Sequence, residues 1–182
     1  MDRINQIIKH KLYLKYVQKI KVHEQDRIFC KHDIIHFLDV CRLAEIEWLT
    51  FRIQEIERKQ GAVSNVQSGI KNAESIWVNR ELIYAAGLLH DIGRWMEYEE
   101  GLQHEIASTG LAAEILRECD FKKEEIEKII FAILNHRNKE IENDNSLAGF
   151  IYRADKKSRA CFCCQAENEC DWSDSKKNLE IK

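Results

Sequence analysis

Apolar residues recur along this chain at three- and four-residue intervals rather than in alternation, and that period predicts helices. The first is expected over residues 2–21, with Ile4, Ile7, Ile8, Leu12 and Val17 on its apolar side. A polar stretch, HEQDR, follows. A long helix is expected from about Asp33 to Arg58, and its first half is apolar nearly all round, which predicts a central position. Residues 60–78 contain Gly61, Gly69 and several Ser and Asn, and read as a surface connection with room for a short helix. A helix is expected over about Arg80–Ile92, stopped by Gly93, a favourable residue past a helix end. Residues 94–103 read as a loop. Further helices are expected over about His104–Glu118, Lys123–His136 and Leu147–Arg159. Glu124 and Glu125 sit in the first turn of the second of these, where they suit the helix dipole. The pattern is that of an all-α protein without internal repeats.

Composition narrows this picture. With 182 residues, 45% of them apolar, the chain can build one domain with a sizeable core. The net charge of −3, with positive and negative residues interleaved, leaves no basic footprint for nucleic acid. No apolar stretch is long enough to span a bilayer, and the charged N-terminus lacks a signal-peptide core. A cytoplasmic location and no membrane partner are therefore expected, with the seven cysteines reduced.

The candidate chemistry lies at the ends of the apolar stripes. Ile83, Gly87 and His90 share one helix face, as do Ile129, Ile133 and His136, and Ala148, Ile151 and Asp155. Each stripe starts in core residues and ends in an ionisable one. Burying an unpaired carboxylate such as Asp91 or Asp155 costs roughly several kcal/mol or neutralises it. Divalent cations among His36, His90, Asp91, His104, His136 and Asp155 would remove that cost. A mixed imidazole and carboxylate set favours Fe or Mn, with Zn, Ni or Mg compatible. A single histidine on an apolar face is more often a hydrogen-bonded core residue, the reading given to His10 and His23.

These residues stand in recognisable motifs. HFLDVCRLA begins at His36, LLHDIGR contains His90 and Asp91, HEIASTGLAAEIL begins at His104, AILNH ends at His136, and YRADKKSR contains Asp155. Over about residues 28–160 the chain resembles the HD-domain superfamily of metal-dependent phosphohydrolases. The resemblance implies a helical bundle in which His36, His90, Asp91 and Asp155 hold a first metal. His104 and His136 would help hold a second, with Asp91 as the bridge. Where the family can carry paired histidines, this chain has His136-Arg137, so no extra ligand is expected there.

The implied chemistry is attack of a metal-activated water on a phosphate ester or anhydride, most readily of a nucleotide. Asp91 would act through the metals. Arg94 and Lys156 are candidates to steady the phosphate, as is Arg159 one turn on. His32, one turn before His36, is read as a supporting or substrate contact rather than a ligand. Two readings from other classes stand beside this one. The first is a nucleotide-binding regulatory HD protein whose cysteine segment senses metal or redox state. The second is a di-iron oxygenase.

The segment RACFCCQAENECDW follows the HD-like region, giving an expected division into residues 1–160 and 161–182. Cys161-x-x-Cys164 has the spacing of a zinc knuckle, with Cys170 beyond it. Cys163 could replace Cys164, and Cys30 could supply a fourth ligand. A structural zinc ion or an iron–sulfur cluster would suit such a set, and the alternative is reduced thiols in a mobile tail. Cys41 and Cys119 sit in apolar patterns and read as core residues, and Trp172 as the residue that packs the segment down.

Overall fold

Arg80–Leu89 (α4) is covered by neighbours on nearly every side, and Leu82, Ile83, Ala85, Ala86, Gly87, Leu88 and Leu89 are all buried. It forms the centre of the computed structural model, which describes residues 1–61 and 78–180. Asp2–Lys9 (α1), Ile34–Gly61 (α3), Lys123–Asn135 (α7) and Leu147–Lys157 (α8) pack on it. His104–Glu118 (α6) packs on α7, and Arg94–Glu100 (α5) packs on both α6 and Lys11–His23 (α2). No strand occurs among the described residues, so the all-α expectation holds. None of their helices is long and apolar enough to cross a membrane.

The small residues of α4 explain why it takes the central place. A Cβ added at Gly87 would lie 2.6 Å from Cys41 Sγ and 3.2 Å from Cys41 Cα, so α3 approaches α4 through a gap that only glycine leaves. The long helix α3, expected to be central, is instead peripheral. Phe37, Val40, Cys41 and Ala44 face the core, but Ile34, Ile35, Ile46, Leu49, Ile53 and Ile56 are exposed.

Two further expectations change. The helix over residues 2–21 breaks at His10, whose backbone is extended (φ −67°, ψ 132°). The break lets Ile4 and Ile7 of α1 bury against α4 while Tyr13, Tyr16 and Ile20 of α2 turn towards α5. His10 compensates by accepting from the Leu12 N–H at its Nδ1, 3.3 Å away, and sits 3.0 Å from Glu118 Oε2 through Nε2. The loop expected over 94–103 contains α5, and α4 ends at Leu89 rather than Ile92. Gly93 is therefore not a left-handed helix stop (φ −88°, ψ 3°) but the residue before α5.

The remaining boundaries agree within about three residues. Glu125 accepts from the Lys122 N–H at 2.9 Å to start α7, and Ser146 accepts from the Gly149 N–H at 3.3 Å to start α8. Of the connection expected over 60–78, residues 60 and 61 belong to α3 and residues 62–77 lie outside the described residues.

Candidate metal centre

Five segments deliver the predicted ligands to one end of the bundle. Asp33 starts α3 by accepting from the N–H groups of Ile35 (3.0 Å) and His36 (3.1 Å), which fixes His36 in the first turn. His90 and Asp91 form the sharp turn between α4 and α5. His104 opens α6, His136 follows α7, and Asp155 lies in α8. All are buried except His36, which is half-buried.

The ring orientations carry the chemistry. Nδ1 of His90 donates to Gly87 O at 2.8 Å, and Nδ1 of His136 to Ile133 O at 2.6 Å. Nδ1 of His104 lies 2.6 Å from Glu97 Oε2. Nδ1 of His36 lies 3.2 Å from Ser158 Oγ, whose own proton goes to Asp155 O at 2.8 Å. The carbonyl partners of His90 and His136 place a ring proton on Nδ1 and turn Nε2 towards the centre as an acceptor, while Nδ1 of His104 sits between Glu97 and Arg94 Nη1, 2.8 Å away, and its Nε2 also faces inward. Yet His36 Nε2 stands 3.2 Å from His90 Nε2, and His104 Nε2 stands 3.3 Å from His136 Nε2. Lone pairs so placed repel unless a proton or a cation lies between them.

Asp91 joins the two pairs. Its Oδ1 is 3.2 Å from His104 Nε2 and 3.3 Å from His136 Nε2, and is buried without a hydrogen-bond partner. Its Oδ2 is 3.4 Å from His90 Nε2 and 3.7 Å from His36 Nε2. Two groups with ligand atoms all within 4.8 Å result, His36–His90–Asp91 and Asp91–His104–His136. The orphaned Oδ1 and the four inward-facing nitrogens fit two divalent cations sharing Asp91. Asp155 stands at the edge, with Oδ1 3.7 Å from His36 Nε2 and Oδ2 2.5 Å from Lys156 Nζ.

Burial works to raise the Asp91 carboxyl, and positive charge at the ring nitrogens around it, His90 foremost, holds it well below the usual carboxylate range, a charge that a cation among these atoms would equally supply. Burial opposes ionisation of Asp155 too, and Lys156, His90 and Arg159 overcome it.

His32 also reaches the centre, its Nε2 3.7 Å from Asp91 Oδ2. It is held by Glu24, a carboxylate only 3% exposed. Glu24 accepts from the His32 N–H at 2.6 Å, from His32 Nδ1 at 2.5 Å and from Tyr98 Oη at 2.7 Å. Burial alone would raise the Glu24 carboxyl, but these donors pull it down to about 2 from 4.5. The folded state thus gains stability from ionised Glu24 above its unfolded pKa, and loses it as the pH falls towards about 2. A shift of that size corresponds to about 3 kcal/mol. In chelator-treated protein, urea unfolding at neutral pH should show Glu24→Gln to be clearly less stable than wild type. The gap should close between about pH 4.5 and pH 2. A gap that stays constant with pH would contradict this assignment.

The centre floors a cavity of about 220 Å³. Arg27, Arg94, Arg137, Lys156, Arg159 and Lys177 line it. Of the cations expected to meet phosphate, Arg94 is held by Glu97 (2.9 Å) and Lys156 by Asp155. Arg159 stacks 3.8 Å over the Trp172 ring and has a buried Nη1 without a hydrogen-bond partner. Glu24, Glu97 and Tyr98 were missed because they stand in polar stretches with no periodicity to mark them. Arg27 and Lys177 were missed because a lone surface cation carries no signal in sequence.

The HD domain family model matches residues 66–160 of the chain. His36 lies upstream of that span and is brought into the site by α3 alone. A Clostridium beijerinckii protein described as uncharacterized is 41% identical over 181 residues, covering 100% of this chain and 99% of that protein. No solved structure matches.

Proposed function

Because the chain belongs to the HD-domain superfamily of metal-dependent phosphohydrolases, we propose that it hydrolyses a phosphate ester or anhydride of a small substrate, most readily a nucleotide. The observation that carries this is the convergence of four imidazole Nε2 atoms on the shared Asp91 carboxylate, whose buried Oδ1 has no hydrogen-bond partner. His36, His90 and Asp91 would hold one ion, with Asp155 closing on it, and Asp91, His104 and His136 a second. The donor set favours Fe or Mn. Bound there, divalent ions polarise a phosphoryl oxygen and bring a water's pKa towards neutral.

The chain's own groups do the rest. Arg159 lines the cavity beside Asp155, and with Arg94, Lys156 and Arg137 it supplies positive charge for a phosphoryl oxygen. The cavity, about 220 Å³, is smaller than ligand sites of roughly 300–1,000 Å³. It therefore suits the phosphate-bearing end of a substrate, with the remainder resting at the mouth near Phe29 and Trp172.

The direct test is hydrolysis of bis-p-nitrophenyl phosphate and a nucleotide panel by protein supplied with Mn, Fe, Ni or Mg. Nucleotide binding without phosphate release under any of these metals would sink the reading. Arg159→Ala should lower kcat/KM roughly 10–100-fold, the loss of one charge-assisted hydrogen bond to substrate. Metal content should stay unchanged.

A further inference from the structure

The cysteine-bearing segment is out of balance with its own packing. Over residues 161–180 only Ala166 is buried, so the segment has no core of its own. It is tied to the bundle by Asn178, whose side-chain amide donates to the carbonyls of Lys156 (2.8 Å), Lys157 (3.3 Å) and Arg159 (2.9 Å). The Arg159–Trp172 stack adds a second tie. Short segments with so little apolar burial ordinarily need a staple.

The thiols are placed to supply one. Cys30, just before α3, lines the same cavity wall as Cys161 and Cys170, far along the chain. Cys161 and Cys164 belong to a single turn, with the Cys164 N–H donating to Cys161 O at 3.1 Å. The other three cysteines have different situations. Cys41 and Cys119 are buried in the core, and the exposed Cys163 turns its thiol to Ala160 O at 3.4 Å. Four thiols from two segments remain, the number a tetrahedral structural zinc site takes.

We propose that Cys30, Cys161, Cys164 and Cys170 bind a structural zinc ion that staples the C-terminal segment to the mouth of the cavity. The proposal is independent of the substrate reading above. Cys30 is exposed as a residue, like Cys163, but partial desolvation still pushes its thiol up, and Cys161 and Cys164 push it further against the pull of Arg159. A divalent cation reverses that preference and ionises all the thiols together. Among the described residues only the two Asp91 groups have ligand atoms all within 4.8 Å, so the thiols must close on the ion. A segment with so few buried contacts can make that movement. Cys30 lies two residues before His32, and its carbonyl accepts from Arg27 Nε at 2.8 Å, so the ion would fix one wall of the substrate cavity.

Elemental analysis of the full chain tests this. Asp91→Asn, which disables the histidine centre, should retain about one zinc per chain. Adding Cys161→Ser and Cys164→Ser should remove it, whereas adding Cys163→Ser should not. Zinc unaltered by the paired serine changes would overturn the proposal. Iron with visible thiolate absorption in its place would overturn zinc in favour of a cluster. A measurement on unmutated protein covers the case in which the serine variant fails to fold. Chelator should release zinc and expose the four thiols to a thiol reagent while circular dichroism still reports the bundle. Thiol reactivity that does not change on chelation would equally overturn it.

Discussion

Asp91→Asn should abolish metal binding at the histidine centre and phosphohydrolysis together. Asparagine keeps the shape of the side chain, so the fold has little reason to change. It removes the charge, however, and it can offer only one oxygen. The carboxylate serves both groups, Oδ1 between His104 and His136 and Oδ2 towards His90 and His36. An amide must present an NH₂ to one of them, and an NH₂ is no metal ligand. The second ion would also need the negative charge, since imidazoles, its other candidate ligands, bring none. Lewis-acid stabilisation is worth several kcal/mol, so a rate loss of roughly 10³-fold or more is expected. His104→Ala should instead remove one ion and spare the His36–His90–Asp91 group. Metal content and kcat measured on the same preparations decide this. Two ions retained by Asp91→Asn would refute the bridging role.

Of the candidate ligands, His90, His136 and Asp155 were legible because each ends an apolar stripe, whereas His36 and His104 stand in the first turns of their helices and were legible only through the motifs they begin. Ile129 and Ile133 are buried in the structure, and His136 follows them into the core. The same logic failed where tertiary contact rather than period decides. The break at His10 leaves no trace in sequence, because the apolar period runs on across it while the two halves bury against different helices. The centre of the bundle was assigned to α3, since its first half looks apolar all round. The small residues Ala85, Ala86 and Gly87 gave that place to α4. Glu24 was unreadable for a further reason. Its burial arises from its partners His32 and Tyr98, which meet it only after α2, the segment before α3 and α5 have packed. A buried carboxylate inside HEQDR looks like any solvated one until its donors are known.

Gly93→Ala should destabilise the protein and loosen the His104 side of the centre. The reason is proximity rather than backbone freedom, since the φ of −88° suits any residue. An alanine Cβ there would meet Ser108 N at 2.5 Å, Ala107 Cβ at 2.7 Å and Ala107 C at 2.8 Å. These are atoms on the spine of α6 that no rotamer change can move aside. The Gly93 N–H also donates to the buried Ser108 Oγ at 2.9 Å, so separating the two elements would strip a buried hydrogen bond as well. Overpacking of this kind costs about 1–3 kcal/mol, occasionally more. For a chain of this length that is a fall in Tm of roughly 2–10 °C. The strain has a direction. Gly93 lies two residues from Asp91, and α6 begins at His104, so pushing α6 away widens the gap between Asp91 Oδ1 and His104 Nε2. Affinity should therefore fall for the ion shared with His104 and His136 before the one shared with His36 and His90. Gly110 is the control, because it stands exposed in the same helix with nothing within 4 Å of an added Cβ. Gly110→Ala should raise stability by roughly 0.5–1 kcal/mol through helix propensity alone. Thermal unfolding with and without metal, run on both variants, separates the effects. Equal melting of Gly93→Ala and wild type would show that the turn carrying Asp91 is not held by its contact with α6.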